Sequence, residues 1–336
     1  MIKEAIKALA KKQNLTSQEA YECVDEIMSG KASDVQMSSY LTALSIKGET
    51  IEEITGSARG MREHCVKLLD NEDALEIVGT GGDGSNSFNI SSTSALVIAS
   101  GGVKVAKHGN RAASSKSGAA DCFEALGVNI RVAPERAKVL LEKINICFLF
   151  AQNYHLAMKY VAPIRRELGI RTVFNILGPL TNPAGASLQV MGVYSRDMVE
   201  PLAQVLANLG VKRGLVVYGE NGFDEITSSA DTFVCEIYDG SYRSYMLTPE
   251  QFGMKRCKKE DLIGGSPKDN ADITLKILKG EKGPRRDTVL MNAGAGLFVG
   301  GKAATIGEGI KMAAELIDSG AAYAKLEDFI RLSNES

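Results

Sequence analysis

The sequence predicts an α/β fold in which a small all-helical N-terminal domain precedes a larger α/β domain with a mostly parallel central sheet covered by helices. The first seventy residues show helical periodicity and almost no strand pattern. From Leu75 onwards, short runs rich in β-branched residues alternate with helical segments, which is typical of a helix-covered parallel sheet. Because 336 residues exceed the usual size of one domain, we expect a helical domain over 1–70, joined by helices from 155–185, and an α/β domain over 71–336.

Two capping boxes predict where helices begin in the N-terminal region. Thr16 can accept a backbone hydrogen bond at a helix start while Glu19 reaches back to it, and Thr50 and Glu53 repeat this arrangement. The second box predicts a helix over 51–69. This part of the chain is therefore expected to be helical throughout.

The strand pattern begins at Leu75. We expect strands at 75–78, 103–106, 146–150, 188–194 and 214–219, and a hairpin within 232–246 that turns at Asp239-Gly240. Ligands of parallel α/β sheets bind beyond the carboxyl ends of the strands. The loops that follow these runs are therefore where we expect the functional residues.

Composition and charge exclude several classes of protein. Lys and Arg number 39 against 41 Asp and Glu, a formal net charge of -2, so no global basic field would attract nucleic acid. The six cysteines contain no C-x-x-C pair, which is evidence against zinc and redox sites. No stretch approaches the roughly 20 apolar residues of a membrane span, and the N-terminus has the pattern of an amphipathic helix rather than a signal peptide. We expect a cytoplasmic protein with reduced thiols.

A glycine-rich run, GTGGDG at 79–84, follows the first predicted strand. Its glycine spacing fits a dinucleotide-binding loop, but no helix opens on the third glycine, and Lys107-His108 occupy the place of the ribose-binding acid. The backbone N–H groups of the run and the start of the helix predicted over 89–100 can form an anion cradle. Asp83 would repel phosphate unless it bound sugar hydroxyls or metal-bound water, which favours a sugar phosphate with magnesium. The alternative is a tight turn followed by an ordinary helix cap.

Two further segments supply charge at the same predicted edge. The run KHGNRAASSKSG at 107–118 carries Lys107, Arg111 and serine hydroxyls, the donors that a pyrophosphate needs. Asp224-Glu225 follows the strand predicted at 214–219, and paired carboxylates suit magnesium. Taken singly, each segment could equally be solvated surface. Their common position after strands favours one shared site.

These segments, in this order and spacing, resemble the anthranilate phosphoribosyltransferase family, which has the nucleoside-phosphorylase-like phosphoribosyltransferase fold. The resemblance spans essentially the whole chain. It is carried by GTGGDGSNSFNIS at 79–91, KHGNRAASSKSG at 107–118, APIRRELGIRTVFNILGPLTNPAG at 162–185 and FDE at 223–225.

The resemblance implies a set of ligand-binding residues. Those implied to contact phosphoribosyl pyrophosphate are Gly79, Gly82, Asp83, Ser87, Asn89, Ile90, Ser91, Ser92, Lys107, His108, Gly109, Asn110, Arg111, Ala112, Ala113, Ser114, Ser115 and Ala119. Those implied to bind anthranilate are Gly79, Asn110 and Arg165, with His108 and the 178–179 turn lining the pocket. Two magnesium ions per monomer are implied, one at Ser91 and the other at Asp224 and Glu225.

Some positions are interpreted differently with and without the resemblance. On its own, Arg165 looks like a solvated arginine of a helix over 155–168, and the resemblance instead places it at the anthranilate carboxylate. His155 is expected to be a packed helix residue. Ser92, Ala119 and Gln152 stand where the family more often has Thr, Ser and Pro.

The implied reaction is attack by the anthranilate amine on the anomeric carbon of phosphoribosyl pyrophosphate, with inversion and loss of pyrophosphate. No covalent nucleophile or essential base is expected, and His108 is the nearest candidate for a base. The resemblance also implies a homodimer formed through residues 1–70. The alternatives are a pyrimidine-nucleoside phosphorylase of the same fold, or a non-catalytic relative that binds nucleic acid or a protein partner.

Overall fold

The computed structural model describes residues 1–68, 73–112 and 115–335. It shows a helical N-terminal part followed by an α/β part built on one mostly parallel sheet, as predicted. The boundary between two domains near residue 70 remains a prediction.

Four helices form the N-terminal part, and capping explains where they begin. They are α1 (Ile2–Leu9), α2 (Ser17–Met28), α3 (Asp34–Lys47) and α4 (Ile51–Glu63). The predicted boxes of Thr16 with Glu19 and of Thr50 with Glu53 are both present, each satisfying two backbone N–H groups that a helix start leaves unpaired.

Helix α4 is shorter than predicted, because its downstream backbone binds other segments. The N–H of Val66 donates to the carbonyl of Tyr154 at 3.0 Å, and that of Leu68 donates to Pro183 at 3.0 Å. These bonds replace the helical bonds of a continuing α4. The predicted end at Leu69 lies outside the described residues.

Seven strands form one sheet in the order β3-β2-β1-β4-β5-β6-β7. The strands are β1 (Leu75–Gly79), β2 (Val105–Gly109), β3 (Ile146–Phe150), β4 (Leu188–Gly192), β5 (Arg213–Gly219), β6 (Thr232–Tyr238) and β7 (Ser241–Leu247). Strands β1 to β5 pair in parallel, and β6 and β7 add an antiparallel edge. The hairpin turns at Asp239 and Gly240 as predicted, both with positive φ (47° and 75°).

The position of β2 corrects the sequence prediction. The expected strand at 103–106 begins only at Val105, and Lys107, His108 and Gly109 are its last residues rather than the first residues of a loop. They pair with Phe148, Leu149 and Phe150 of β3, so the backbone of this end of β2 is held on its β3 side. Two charged or polar residues are thereby fixed on a rigid strand.

Helices cover both faces of the sheet. They are α5 (Ile90–Ser100), α6 (Ala119–Ala125), α7 (Pro134–Ile144), α8 (Ala151–Tyr154), α9 (Met158–Leu168), α10 (Phe174–Leu180), α11 (Val199–Asn208), α12 (Pro267–Leu278), α13 (Pro284–Val299), α14 (Ile306–Asp318) and α15 (Ala321–Asn334). One apolar core includes α5, α7 and α12 to α15, and a second joins α1 to α4 with α9, α10 and α11. The second core attaches the N-terminal helices to the sheet. Within the described ranges, no helix has the length and apolarity to cross a membrane.

Candidate active site

A cleft of about 1240 Å³ lies beyond the carboxyl ends of β1 and β2, where the helical part meets the sheet. The glycine-rich run, the end of β2, and Asp224-Glu225 all line it, together with residues of α9 and α10. Ligands of open α/β sheets bind at this kind of edge. The structure therefore brings together the three segments that the sequence predicts to share a site.

Glycine is required at two strand ends to admit the acidic segment. A Cβ at Gly79 would lie 2.2 Å from Oδ2 of Asp224, and one at Gly192 would lie 1.5 Å from the Asp224 carbonyl oxygen. Gly79 and Gly192 are partners across β1 and β4. Asp224 thus crosses the end of the sheet over a pair of residues without side chains.

The carboxylates of the acidic segment bind amides of the predicted anion cradle. The N–H of Gly81 donates to Oδ2 of Asp224 at 2.7 Å, and the N–H of Ser91 at the start of α5 donates to Oε1 of Glu225 at 3.0 Å. The cradle is therefore not open as the sequence suggested, because two of its amides have partners within the protein. A phosphate that used them would have to displace these carboxylates.

Burial changes the proton affinity of these carboxylates. Loss of solvent, reinforced by the charge of Asp83, raises the pKa of Asp224 to about 7, and burial together with Asp224 raises the pKa of Glu225 well above its usual range. Oε2 of Glu225 is buried without a hydrogen-bond partner among the described residues. Buried, crowded negative charge of this kind is stabilised by a cation.

The acidic segment fits a magnesium ion that shares its ligands with phosphate. No group of three or more His, Cys, Asp or Glu side chains in the described part of the chain is arranged to enclose a metal by itself. Magnesium commonly takes one or two carboxylates and completes its shell with water and substrate phosphate oxygens. Asp224 and Glu225 meet that requirement.

The basic residues of β2 are buried in the wall of the cleft. Lys107 is 2% exposed, and burial lowers its pKa while the charges of Glu76, Glu225 and Asp224 oppose that shift. His108 packs against His155 with ring centroids 5.1 Å apart, and burial lowers its pKa well below the usual range. Nε2 of His108 has no partner within the described residues. A neutral imidazole therefore faces the cleft.

Arg111 is engaged elsewhere in this structure. Its guanidinium donates to Asp121 at 2.8 Å and to Glu124 at 2.8 and 3.0 Å. The N–H of Ala112 also donates to Asp121, at 2.8 Å. Contact with a pyrophosphate would require Arg111 to leave this ion pair, which is partly exposed and therefore weak.

Arg165 lies in the cleft without an anionic partner. It is half-buried on α9, 5.5 Å from the ring centroid of Phe174, and burial lowers its pKa. No hydrogen bond or ion pair of its side chain is found among the described residues. A guanidinium so placed can bind a carboxylate in a bidentate manner.

Most of the residues predicted for the site do line the cleft. Those that do are Gly79, Gly82, Asp83, Ser87, Asn89, Ser91, Ser92, Lys107, His108, Gly109, Asn110, Arg111, Ala112, Ser115, Ala119, Arg165, Asp224 and Glu225. Ile90 does not, since its side chain is fully buried in the core. Ala113 and Ser114 lie outside the described residues.

The sequence did not predict that His155, Arg171 and Tyr194 line the cleft. His155 is buried as expected, but it follows α8 instead of lying within a helix, and it faces His108. Arg171 donates to the carbonyl of Gly82 at 2.5 Å and stacks 4.1 Å from the ring centroid of Tyr194. Only the position of Arg171 within the segment 162–185 could have indicated it.

Comparisons with known proteins agree over nearly the whole chain. The family described as "Glycosyl transferase family, a/b domain" matches residues 71–323, and "Glycosyl transferase family, helical bundle domain" matches residues 3–65. The chain is 62% identical over 334 residues to an anthranilate phosphoribosyltransferase of Methanobrevibacter smithii, covering 99% of this chain and 100% of that protein.

Solved structures are similar as well. The anthranilate phosphoribosyltransferase of Thermus thermophilus superposes with a TM-score of 0.93 at 47% identity, covering 98% of this chain and 99% of that one. The enzyme of Saccharomyces cerevisiae in complex with PRPP and Mg has a TM-score of 0.90 at 31% identity, covering 99% and 97%. The yeast enzyme has also been solved in complex with 4-fluoroanthranilate.

The burial of His155 predicts that the protein loses stability in acid. Burial lowers the pKa of His155 from 6.5 to about 4, so its neutral form contributes stability that is present above about pH 6.5 and is lost as the pH falls through about 4. The free energy of unfolding should fall by about 3 kcal/mol over this range. Urea unfolding at pH 7.5, 5.5 and 4.5 measures it.

The matched variants are His155→Gln and His64→Gln. His64 is partly exposed beside Asp25, so its replacement should leave the steep acid loss in place, whereas His155→Gln should reduce it. Equal pH dependence of the wild type and His155→Gln would show that His155 is not the group responsible.

Proposed function

The chain belongs to the anthranilate phosphoribosyltransferase family, and we propose that the cleft described above is where it carries out the family's reaction. The enzyme transfers the phosphoribosyl group of 5-phosphoribosyl 1-pyrophosphate to the amine of anthranilate. The products are N-(5-phosphoribosyl)anthranilate and pyrophosphate, in the biosynthesis of tryptophan. The observation that supports this site best is the convergence of Lys107, Asp224-Glu225 and the glycine run in one cleft.

Phosphoribosyl pyrophosphate is proposed to bind between the glycine run and the end of β2. Lys107 would meet the pyrophosphate as a buried cation, and the amides of the run would donate to its oxygens. Residues 107–112 and Ser115 would contact it, with Arg111 exchanging Asp121 and Glu124 for phosphate. Donors fixed on a strand and held in a buried wall stabilise charge on the leaving group without reorganisation.

Magnesium is proposed to bind with the pyrophosphate, as two ions. Asp224 and Glu225 would hold one ion, and Ser91, whose amide already meets Glu225 at 3.0 Å, would hold the other. When bound, magnesium neutralises charge on the pyrophosphate and polarises its oxygens. Asp83, whose Oδ2 accepts from the N–H of Asp224 at 3.4 Å, would contact water bound to the ion held by Asp224 and Glu225.

Anthranilate is proposed to bind between the sugar and α9. Arg165 would pair with its carboxylate, while Asn110 and Gly79 contact the ring and its amine. His108 is held neutral by burial, which lowers its pKa, so it can accept a hydrogen bond from the amine. An aromatic amine is largely unprotonated at neutral pH, so its attack needs orientation more than a base. Holding two substrates in line is worth up to roughly 7–11 kcal/mol.

The direct test is an assay of the purified protein with anthranilate and phosphoribosyl pyrophosphate, with and without magnesium. We expect the fluorescence of anthranilate to disappear with magnesium and to persist with EDTA. Phosphate-dependent cleavage of thymidine, in place of anthranilate consumption, would instead establish the pyrimidine-nucleoside phosphorylase alternative.

Replacing Arg165 should weaken anthranilate binding selectively. A hydrogen-bonded charge pair contributes about 1.5–3 kcal/mol, so Arg165→Ala should raise KM for anthranilate by about 10- to 100-fold and change KM for phosphoribosyl pyrophosphate little. Arg166→Ala is the matched control, because Arg166 is exposed on the same helix. Equal effects of the two variants on KM for anthranilate would exclude Arg165 from the acceptor site.

A homodimer in the cytoplasm is proposed on separate grounds. Val35 is 74% exposed and Ile46 is 76% exposed, and their spacing places both on one face of α3, opposite the buried Tyr40 and Leu44. Two exposed apolar side chains on one helix face, with the small residues Ser39 and Thr42 between them, are suited to contact with a second copy of the chain. All six cysteines are free thiols, which suits a reducing compartment.

Negative charge at Val35 and Ile46 should dissociate the dimer. We expect Val35→Glu combined with Ile46→Glu to sediment as a monomer at micromolar concentration while the wild type sediments as a dimer. Tyr242→Glu, on exposed β7, is the control and should remain dimeric. A wild type that is strictly monomeric would refute the proposal. A double variant that remains dimeric would show that the interface lies elsewhere.

A further inference from the structure

Strands β1 and β2 separate towards the cleft. They pair at Leu75 and Val105 alone among their described residues, although β1 pairs with β4, and β2 with β3, along their full lengths. The part of β2 that carries Lys107 and His108 therefore has no main-chain partner on the β1 side. Some other group must satisfy its backbone there.

Two buried side chains fill this gap. Oε1 of Glu76 accepts from the N–H of His108 at 3.0 Å, and Oε2 accepts from Nδ2 of Asn182. The same Nδ2 donates to the carbonyl of Ala106 at 2.8 Å, while Oδ1 accepts from the N–H of Ala184 at 2.8 Å. Glu76 and Asn182 thus bind the backbone of β2 on either side of Lys107.

The bridge formed by Glu76 and Asn182 is buried and charged. Glu76 is 0% exposed and Asn182 is 3% exposed, so their hydrogen bonds do not compete with water. Glu76 is also the first of three carboxylates whose charges act on Lys107, before Glu225 and Asp224. Glu76 lies on β1 and, unlike Glu225 and Asp224, is absent from the lining of the cleft.

We propose that Glu76 and Asn182 are positioning residues that hold β2 apart from β1 and thereby fix where Lys107 and His108 stand in the cleft. They act through the backbone of β2 and touch no substrate. The proposal rests on the proposed function in taking Lys107 as the cation that meets the pyrophosphate.

Hydrogen-bond polarity makes the bridge testable. In Glu76→Gln, the side-chain NH2 group must face either Nδ2 of Asn182 or the N–H of His108. Two donors then face each other at that position, and one of the two hydrogen bonds is lost. In Asn182→Asp, two carboxylates face each other. When both substitutions are combined, the new glutamine can donate to the new aspartate and still accept from the His108 N–H. The contact between the two side chains is then restored with reversed polarity, but the bond to the Ala106 carbonyl stays lost, because an aspartate oxygen cannot donate.

The experiment compares steady-state kinetics and thermal unfolding of the wild type, both single variants and the double variant. Because displacement of a binding group by about 1 Å can cost on the order of 100-fold, we expect each single variant to lose roughly 10- to 100-fold in kcat/KM for phosphoribosyl pyrophosphate, with a raised KM. The double variant should have a KM below that of Asn182→Asp, because the two facing carboxylates are replaced by a hydrogen-bonded pair.

Thr288→Val is the matched control for a purely structural effect. It removes another buried hydrogen bond, between the hydroxyls of Thr288 and Ser228 at 2.7 Å, and should lower the unfolding temperature without changing KM. Single variants that behave like this control, or a double variant no better than Asn182→Asp, would overturn the proposal.

Calorimetric titration with magnesium and phosphoribosyl pyrophosphate separates this inference from the proposed function. A wild type that binds this ligand but does not consume anthranilate would contradict the proposed function alone. Weaker binding by both single variants, with tighter binding by the double variant than by Asn182→Asp, would then still support the bridge. Unchanged binding by Glu76→Gln would refute the bridge whatever the acceptor.

Discussion

The cleft depends on the close contact between Asp224 and the paired strand ends at Gly79 and Gly192. A methyl group at either glycine would overlap Asp224. Since the backbone cannot yield without opening the β1–β4 ladder, the two glycines determine where the acidic segment lies. From that position Asp224 reaches the amide of Gly81, and Glu225 reaches the amide of α5 at Ser91. The contact thereby connects the sheet, the glycine run and the helix start in one rigid unit.

Charge in the site is balanced over short distances rather than by net charge. Lys107 lies buried among Glu76, Asp224 and Glu225, so it carries a cation into a region that would otherwise be strongly negative. Its place on β2 matters, because a strand holds a side chain more rigidly than a loop does. The overall charge of -2 says nothing of this arrangement, which only the fold produces.

Local features were predictable from the sequence, and long-range pairings were not. The capping box at Thr16 and the turn at Asp239-Gly240 depend on neighbouring residues, so their residue types suffice to predict them. The resemblance found the cleft residues but not their present partners. The bond from Gly81 to Asp224 spans 143 positions. Lys107 pairs with β3, although its polar side chain favours a loop. Such facts depend on register and topology, which a single sequence leaves open.

The carboxylates that occupy the cradle amides also make the cleft selective for what enters it. An anion that arrives alone meets Asp83, Asp224 and Glu225 and finds the amides of Gly81 and Ser91 already bound. A complex that carries its own cation would meet complementary charge instead, since Asp224 and Glu225 would hold the metal and leave those amides free for phosphate. The same side chains would thus favour metal-bound phosphate compounds over metal-free ones of similar shape.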